Sequence, residues 1–346
     1  MEGGIGIKDI ARMAGVSAAT VSRVINQNGR YSRETEERVR AVIEREKYIP
    51  DVSAKGLRQN RTMVVGVIVP DITNPHFAGL VLSIEMRLFR EGYSCMICNT
   101  TESGMLEKRH VESLAAQKVA GIILLSGMND YPAISSIPVI YVDRPAAAIN
   151  AAESAETAAG TEAVIIESDN EEGGYLVTKE LISSGCRRIA ILKSIAHDRN
   201  QSNRYHGYQR ALREAGLEED SALCVNLPEV SMQAANAEMR GLIASGSRFD
   251  AVVCTTDTLA AGAVIALREK NIRIPEDCMV TGFDDTPFAA AIGPGITSVH
   301  QDVEKMAELS TELLLRVIRG EELQEHHYLI PVSVSKRAST DPHLVR

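Results

Sequence analysis

From Met63 onward the chain alternates short runs of β-branched residues with longer stretches of helical spacing, and this alternation restricts the fold more than any other feature. The runs 64–69 and 94–98 precede the helix-like stretches 77–90 and 105–117, and the runs 121–125 and 139–142 follow. The pattern resumes with 164–166 before 171–183, 189–192 before 203–215, 251–254 before 258–270, and then 279–282. Parallel strands joined through helices need long, right-handed crossovers, so the pattern predicts open parallel sheets covered by helices on both faces. Nine or ten such units are more than one sheet holds comfortably, which predicts an α/β body of two doubly wound lobes. The interruption at 145–161 is rich in Ala, Glu, Ser and Thr and reads as a short helix or a surface insertion.

The first fifty residues follow a different rule. Ile7, Ile10, Ala11 and Ala14 recur at helical spacing, Gly15 supplies a turn, and Ser17 stands where a helix cap is wanted before 18–26. In that second helix Val21, Val24 and Ile25 share one side, while Ala18, Ala19, Ser22 and Arg23 fall on or near the other. Ser32 opens a third helix whose Val39, Val42 and Ile43 complete a small core. A helix-turn-helix of this kind buries one stripe and offers the other to a DNA groove. Taken alone it is equally a three-helix packing unit with Arg23 solvated.

Charge separates the two parts. The chain has a net charge of −9, but residues 1–62 carry 12 Lys and Arg against 8 Asp and Glu, leaving −13 on the remainder. A basic head on an acidic body confines phosphate contact to one end. The six cysteines are scattered through apolar segments, as expected of buried thiols in a cytoplasmic protein. Cys95 and Cys98 form a C-x-x-C, but within a strand residues three apart point to opposite faces, which argues against a redox or zinc pair. No apolar run approaches the roughly 18 residues that span a bilayer, and the N-terminus lacks the pattern of a secretory signal, so no membrane partner is expected.

Quoted residue by residue, the run Ile7-Lys8-Asp9-Ile10-Ala11-Arg12-Met13-Ala14-Gly15-Val16-Ser17, then Thr20-Val21-Ser22-Arg23-Val24-Ile25-Asn26, then Tyr48-Ile49-Pro50, resembles the head of the LacI/GalR (lactose-repressor) family of bacterial regulators. The resemblance implies that Ala18, Ala19 and Arg23 approach base edges of a double-stranded operator while Ser17, Thr20, Ser22 and Asn26 hold phosphates or the helix itself. Two alanines offer only methyl contacts, so hydrogen-bond readout falls on Arg23, whose fork suits guanine. In the family the connector forms a hinge helix on DNA and inserts a leucine into the minor groove. Leu57 in Ala54-Lys55-Gly56-Leu57-Arg58 matches that wedge, though a leucine there also suits a buried linker. Asp51 departs from the Asn common at its position. The expected organisation is a DNA-binding domain at 1–50, a hinge at 51–62 and an effector domain at 63–346. Within the body, an N-lobe of about 63–165 and 296–326 is expected beside a C-lobe of about 166–295 and 327–346. So small a reader needs two copies on a pseudo-palindromic site, and the family is dimeric or tetrameric, so at least a homodimer is expected.

In the body, Asp71, Asp143 with Arg144, Asp257, and Asp284 with Asp285 gather at the C-terminal ends of predicted strands, where open parallel sheets bind ligands. Carboxylates and a guanidinium fork suit a hydroxyl-rich ligand, and Phe77 and Phe288 are candidates for covering its apolar faces. The body also resembles the family's effector domain, which shares the periplasmic sugar-receptor fold. That likeness implies cleft roles for Asp71, Asn74, His76, Phe77, Asp143, Arg144, Arg204, Thr256, Asp257, Asp284 and Gln301. His76 stands where the family often has an aromatic, and Thr256 where it often has an Asn. Asp257 reads equally as a helix cap, Asn74-Pro75 as a helix start, and Asp143-Arg144 as a surface ion pair. The chain is thus expected to be a repressor of a metabolic operon controlled by a small molecule, a sugar or sugar derivative first and a nucleobase second. A sugar receptor without regulatory role would need a signal peptide and no basic head. An enzyme is not expected: there is no Gly-x-Gly-x-x-Gly after a strand, no Walker-type Gly-Lys-Ser and no nucleophile elbow, and hence no cofactor. His197 near Asp198, and His326 beside His327, lack partners at metal-ligand spacing.

Overall fold

The computed structural model describes residues 5–25, 27–48, 62–129, 131, 137–145, 163–194 and 199–344. The chain divides into two compact units, Met1–Thr62 and Met63–Arg346. The first holds α1 (Ile7–Ala14), α2 (Ala18–Ile25) and α3 (Arg33–Arg45). Gly15 ends α1 in the left-handed conformation (φ 66°), which only a residue without Cβ adopts cheaply. Ser17 Oγ accepts the Thr20 N–H at 3.1 Å and Ser32 Oγ that of Thr35 at 3.2 Å, so each following helix starts on a hydroxyl cap. Ile10, Ala11, Ala14, Val21, Val24, Val39 and Val42 form the core between the three helices.

The second unit contains two six-stranded sheets. The N-lobe begins with β1 (Val64–Val69), α4 (Pro75–Arg90), β2 (Ser94–Asn99), α5 (Gly104–Ala116), β3 (Gly121–Leu124), β4 (Val139–Val142) and β5 (Val164–Ser168). The C-lobe follows with α6 (Asn170–Ser183), β6 (Ile189–Ser194), α7 (Arg199–Glu214), β7 (Cys224–Leu227), α8 (Met232–Ala244), β8 (Ala251–Cys254), α9 (Asp257–Glu269), β9 (Met279–Asp284) and β10 (Thr297–Gln301). The chain then returns to the N-lobe for α10 (Val303–Ile318) and β11 (His327–Ile330), and ends in the C-lobe with β12 (Val332–Ser335). The sheet orders are β11-β5-β4-β3-β1-β2 and β12-β10-β9-β8-β6-β7, every pairing parallel except β10 with β12.

These pairings correct the lobe borders expected from sequence. β10, assigned to the N-lobe, pairs with β9, and β11, assigned to the C-lobe, pairs with β5. A border at 165 would cut β5 in two. The chain changes lobe only after a strand has run its full length, at Asp169, Asp302 and Pro331. The first two are helix caps, with Asp169 Oδ1 accepting the Glu172 N–H and Asp302 Oδ1 that of Lys305.

Each sheet is buried on both faces. In the N-lobe α4 and α10 cover one face through Leu80, Ile84, Leu88, Met306, Leu313 and Leu314, and α5 covers the other through Val111 and Leu114. In the C-lobe α8 and α9 pack on one face and α6 and α7 on the other. Cys95 joins the first N-lobe core and Cys98 the second, so the two thiols do lie on opposite faces of β2, and all six cysteines are free. Burial pushes the Cys95 thiol up to about 12.

Candidate nucleic-acid interface and effector cleft

On α2 the buried stripe is Val21 and Val24, and Ser17, Ala19 and Arg23 are exposed. Ala18 departs from expectation: it is half-buried and packs against the head core, which spends part of the methyl offered to a base. Thr20 and Ser22 are half-buried, and the Thr20 hydroxyl is bonded to Ser17 Oγ at 2.9 Å. The Arg23 stem lies over Gly29, whose φ of 87° and lack of Cβ leave it room; a methyl there would sit 3.2 Å from Arg23 Cδ. Asn26, Leu57 and Asp51 lie outside the described residues, as do His197, Asp198 and 146–162.

In the body the strand ends converge. His76, near the start of α4, is 5% exposed and its Nε2 lies 3.6 Å from Asp143 Oδ1 at the end of β4. Gln301, ending β10, approaches His76 Nδ1 at 3.5 Å and donates from Nε2 to Asp284 Oδ1 at 2.8 Å. Arg204 on α7 donates to Asn170 Oδ1 at 2.8 Å and to the Thr255 carbonyl at 2.6 Å. Its Nη1 lies 3.5 Å from Asp284, and its guanidinium is stacked 3.6 Å over Phe283. Burial would lower the His76 imidazole, but Asp143 and Asp284 hold it above its ordinary value. Burial works against the Asp143 carboxylate too, yet His76 brings it below the usual range. Asp284 is raised by burial, with Arg204 opposing. Asp143 and Asp284 both take positive φ, 67° and 105°, a strained backbone of the kind that persists where a site requires it.

Among the described residues, His76 Nε2, Asp143 Oδ1 and Gln301 Oε1 are buried without a hydrogen-bond partner. His76 Nε2 and Asp143 Oδ1 face each other as an ion pair at 3.6 Å, just beyond hydrogen-bond distance, and Gln301 Oε1 is the atom of the three left without a polar partner, at a cost while it stays buried. A cleft of about 920 Å³ is lined by strand-end and helix-start segments of both lobes, including Asp71, Asn74, Arg144, Ser194 and Thr258, whereas His76, Asp143, Arg204, Asp284 and Gln301 are not among its lining residues.

Residues 6–51 match the family described as bacterial regulatory proteins, lacI family, and residues 178–340 match a periplasmic binding protein-like domain. Over 321 residues, 90% of each chain, the sequence is 32% identical to the HTH-type transcriptional repressor PurR of Haemophilus influenzae strain PittEE. The chain belongs to the lacI family. It is a DNA-binding transcriptional regulator with an effector-binding domain. It is also 30% identical over 336 residues to the ribose operon repressor of Halalkalibacterium halodurans, with 96% of each chain covered. In structure it is similar to the Lac repressor dimer bound to operator and the anti-inducer ONPF, with a TM-score of 0.84 at 26% identity over 98% of this chain and 99% of that one.

Within this lacI-family fold several expected cleft residues have other work. Asp257 is fully buried; its Oδ2 accepts from the Thr286 N–H and hydroxyl at 2.7 and 2.8 Å and its Oδ1 from Ser298 Oγ at 2.5 Å. It braces the start of α9 against β9 and β10, and the helix cap is Thr256, whose Oγ1 accepts the Leu259 N–H at 3.2 Å. Phe77 is 2% exposed with the Arg144 guanidinium 5.0 Å over its ring, so its face is covered. Phe288 is half-buried and does not line the cleft. Arg144 does pair with Asp143, its Nε 3.9 Å from Oδ2, but the pair is largely buried rather than on the surface, and Arg144 Nη1 also donates to both Glu102 carboxylate oxygens at 3.0 Å. Asp71 accepts from Thr73 within its own turn, and Asn74 caps α4 through His76 N–H at 3.0 Å. Sequence reasoning missed Asn200, whose Nδ2 reaches across to the Asp143 carbonyl at 3.2 Å, and Glu107, fully buried in α5. Nothing local marks either, since their partners come from distant segments.

Proposed function

We propose that the protein is a repressor of a sugar-utilisation operon that binds a pseudo-palindromic operator as a homodimer and releases or tightens on it when a neutral sugar enters the lobe cleft. The observation that carries this reading is the cleft of about 920 Å³ itself, whose lining of hydroxyls, amides and carboxylates, with Asp71, Thr73, Asn74, Ser194 and Gln233 among them, suits the hydroxyls of a polyol. A nucleobase wants an aromatic face to stack on. Phe77 and Phe283 both lie under guanidinium groups, and no aromatic is among the described residues lining the open cleft. One relative, a ribose operon repressor, is named for a sugar operon.

Dimerisation is supported by α4. Leu82, Met86 and Phe89, at i, i+4 and i+7, are 63%, 44% and 70% exposed and form one apolar stripe, flanked on β2 by exposed Ile97. A monomer gains nothing from such a stripe, and a second copy covers it isologously. Among the described residues no helix is long and apolar enough to cross a membrane, and a regulator of chromosomal operators works in the cytoplasm. The test is a thermal-shift panel of neutral sugars, sugar phosphates and nucleobases, followed by operator binding by fluorescence anisotropy. A sugar is expected to raise the melting temperature and to change operator affinity by about 5- to 150-fold. A response to nucleobases alone overturns the sugar reading.

A further inference from the structure

We propose that the N-lobe carries a second ligand site, outside the lobe cleft: a groove between α4 and α10 that takes a small phosphate monoester. The groove has a volume of about 340 Å³, within the roughly 300–1,000 Å³ range of small-molecule sites. Its position follows from how the two helices pack. Leu80, Ile84 and Leu88 of α4 and Met306, Leu313 and Leu314 of α10 are buried in one core, and the side chains beside that contact, with Arg87, Thr311 and Leu315 among them, line the groove. At about 100° of rotation per residue, Arg87 and Glu91 face away from the Leu82–Met86–Phe89 stripe, so covering that stripe leaves the groove open.

Two donors in the groove lack acceptors. Thr311 is 4% exposed, yet its Oγ1 makes no hydrogen bond, and the buried Nε of Arg87 makes none either. A buried helical hydroxyl ordinarily donates to a carbonyl one turn earlier. The adjacent Ser310 does so, to Ala307 at 3.1 Å. A hydroxyl and a guanidinium N–H held out of water without an acceptor are costly, and an oxygen-rich group between the helices removes that cost at both atoms.

Charge selects the class of acceptor. Four arginines line the groove, Arg87 and Arg90 from the end of α4 and Arg316 and Arg319 from the end of α10. Arg90 is exposed and forms no ion pair among the described residues. Arg87 reaches Glu304 through Nη2 at 3.1 Å and Arg316 reaches Glu321 through Nε at 3.1 Å, so other nitrogens of both forks stay open to a ligand. Of the acids in the lining, Glu91 is held by Arg319 at 3.5 Å and Glu308 by Lys305 at 3.0 Å, while Glu312 is exposed. A phosphate monoester offers three strong acceptor oxygens, enough to meet guanidinium forks and the Thr311 hydroxyl together. Glu312 disfavours a bare anion but accepts from a hydroxyl, which favours an ester with a hydroxylated body.

Isothermal titration of the full chain with glycerol 3-phosphate, inorganic phosphate, glycerol and a short phosphoserine peptide tests the site. Glycerol 3-phosphate is expected to bind, inorganic phosphate to compete with it, and glycerol to give no signal. Arg90→Ala removes an exposed, unpaired side chain and Thr311→Val a hydroxyl that bonds nothing, so neither should lower the melting temperature of the unliganded protein. Each should weaken glycerol 3-phosphate binding by about tenfold or more, the loss expected for a hydrogen bond to a charged group. Binding that survives both substitutions lies elsewhere and overturns the groove as its site. A Thr311→Val variant that melts well below the parent makes the hydroxyl structural and counts equally against the proposal. A phosphoserine peptide that binds where glycerol 3-phosphate does not points to a phosphoprotein and refutes the small ester, and silence from every phosphate-bearing probe removes the site altogether. None of these results touches the sugar reading, whose ligand lies in the cleft.

Discussion

Arg204→Met removes the cation that organises the cleft floor and keeps much of its bulk over Phe283. Three polar contacts disappear: those to Asn170 Oδ1 (2.8 Å), the Thr255 carbonyl (2.6 Å) and Asp284 (3.5 Å). Asp284 keeps only the Gln301 amide among these partners, in a site where the carboxyl is already raised by burial. Removing one partner of a buried ion pair costs about 3–5 kcal/mol, because the other charge stays behind without compensation. Here the remaining group can escape by taking a proton, so the cost depends on pH. With Arg204 gone the folded-state pKa of Asp284 rises further above the unfolded value. Stability of the variant is then retained at low pH, where the carboxyl is protonated in both states, and lost as pH rises toward the folded pKa. Urea unfolding followed by circular dichroism should show the full loss near pH 8 and a smaller one near pH 5. Asp284→Asn introduced into Arg204→Met should recover about 1–3 kcal/mol at pH 8, the coupling expected of contacting residues. A loss below about 1 kcal/mol at pH 8, or one indifferent both to pH and to Asp284→Asn, would refute the assigned pairing.

Gly207→Ala places a methyl 2.0 Å from the Glu171 carbonyl, so α6 and α7 must part; a cost of about 1–3 kcal/mol is expected, with weakened effector binding because Arg204 lies on the same close seam, where a Cβ on Gly174 would come 2.1 Å from its carbonyl. Thermal melts and titration of the variant check both. The Asp257 carboxyl is pushed up to about 7 by burial and by Asp284, so native protein should lose stability as pH climbs from about 4 through 7, and Asp257→Asn should flatten that limb of a melting-temperature profile. Phe89→Glu sets a charge in the exposed α4 stripe and should yield monomer in sedimentation velocity with operator affinity reduced at least tenfold. Arg23→Ala should cost about 1–3 kcal/mol on the cognate operator and little on random DNA; equal loss on both would remove Arg23 from base readout.

Strands with a buried run rich in β-branched residues were legible from sequence, and Val64–Val69, Val139–Val142 and Ala251–Cys254 stand where the pattern put them. The strands overlooked were β10, whose burial is met by hydrogen bonds instead of apolar area, and the half-exposed edge strands β7, β11 and β12. β10 reads Thr-Ser-Val-His-Gln, yet Thr297, Ser298 and Gln301 are buried because they bond Ser339, Asp257 and Asp284. β7 is an edge strand with half-exposed Cys224 and Val225, too weakly patterned to announce itself. The cleft was legible as a set of strand-end polar residues, and the topology does bring His76, Asp143, Arg204, Asp284 and Gln301 together. What sequence spacing could not separate is a carboxylate facing ligand from one facing its own fold. Asp257 and Asp284 look alike in the chain, and only the placement of Thr286 and Ser298 turns the first inward.

The three lobe crossings at Asp169, Asp302 and Pro331 carry a consequence for how the protein comes into being. The N-lobe's edge strand, β11, is translated only after the whole run of C-lobe elements from α6 to β10, and the C-lobe's own edge strand, β12, comes after that. Neither lobe can finish on the ribosome before the last few dozen residues emerge, while the three-helix head is complete within the first fifty. During synthesis the nascent chain therefore carries a finished DNA reader ahead of an unfinished sensor, and a transcript truncated near its 3′ end yields a reader with nothing to instruct it.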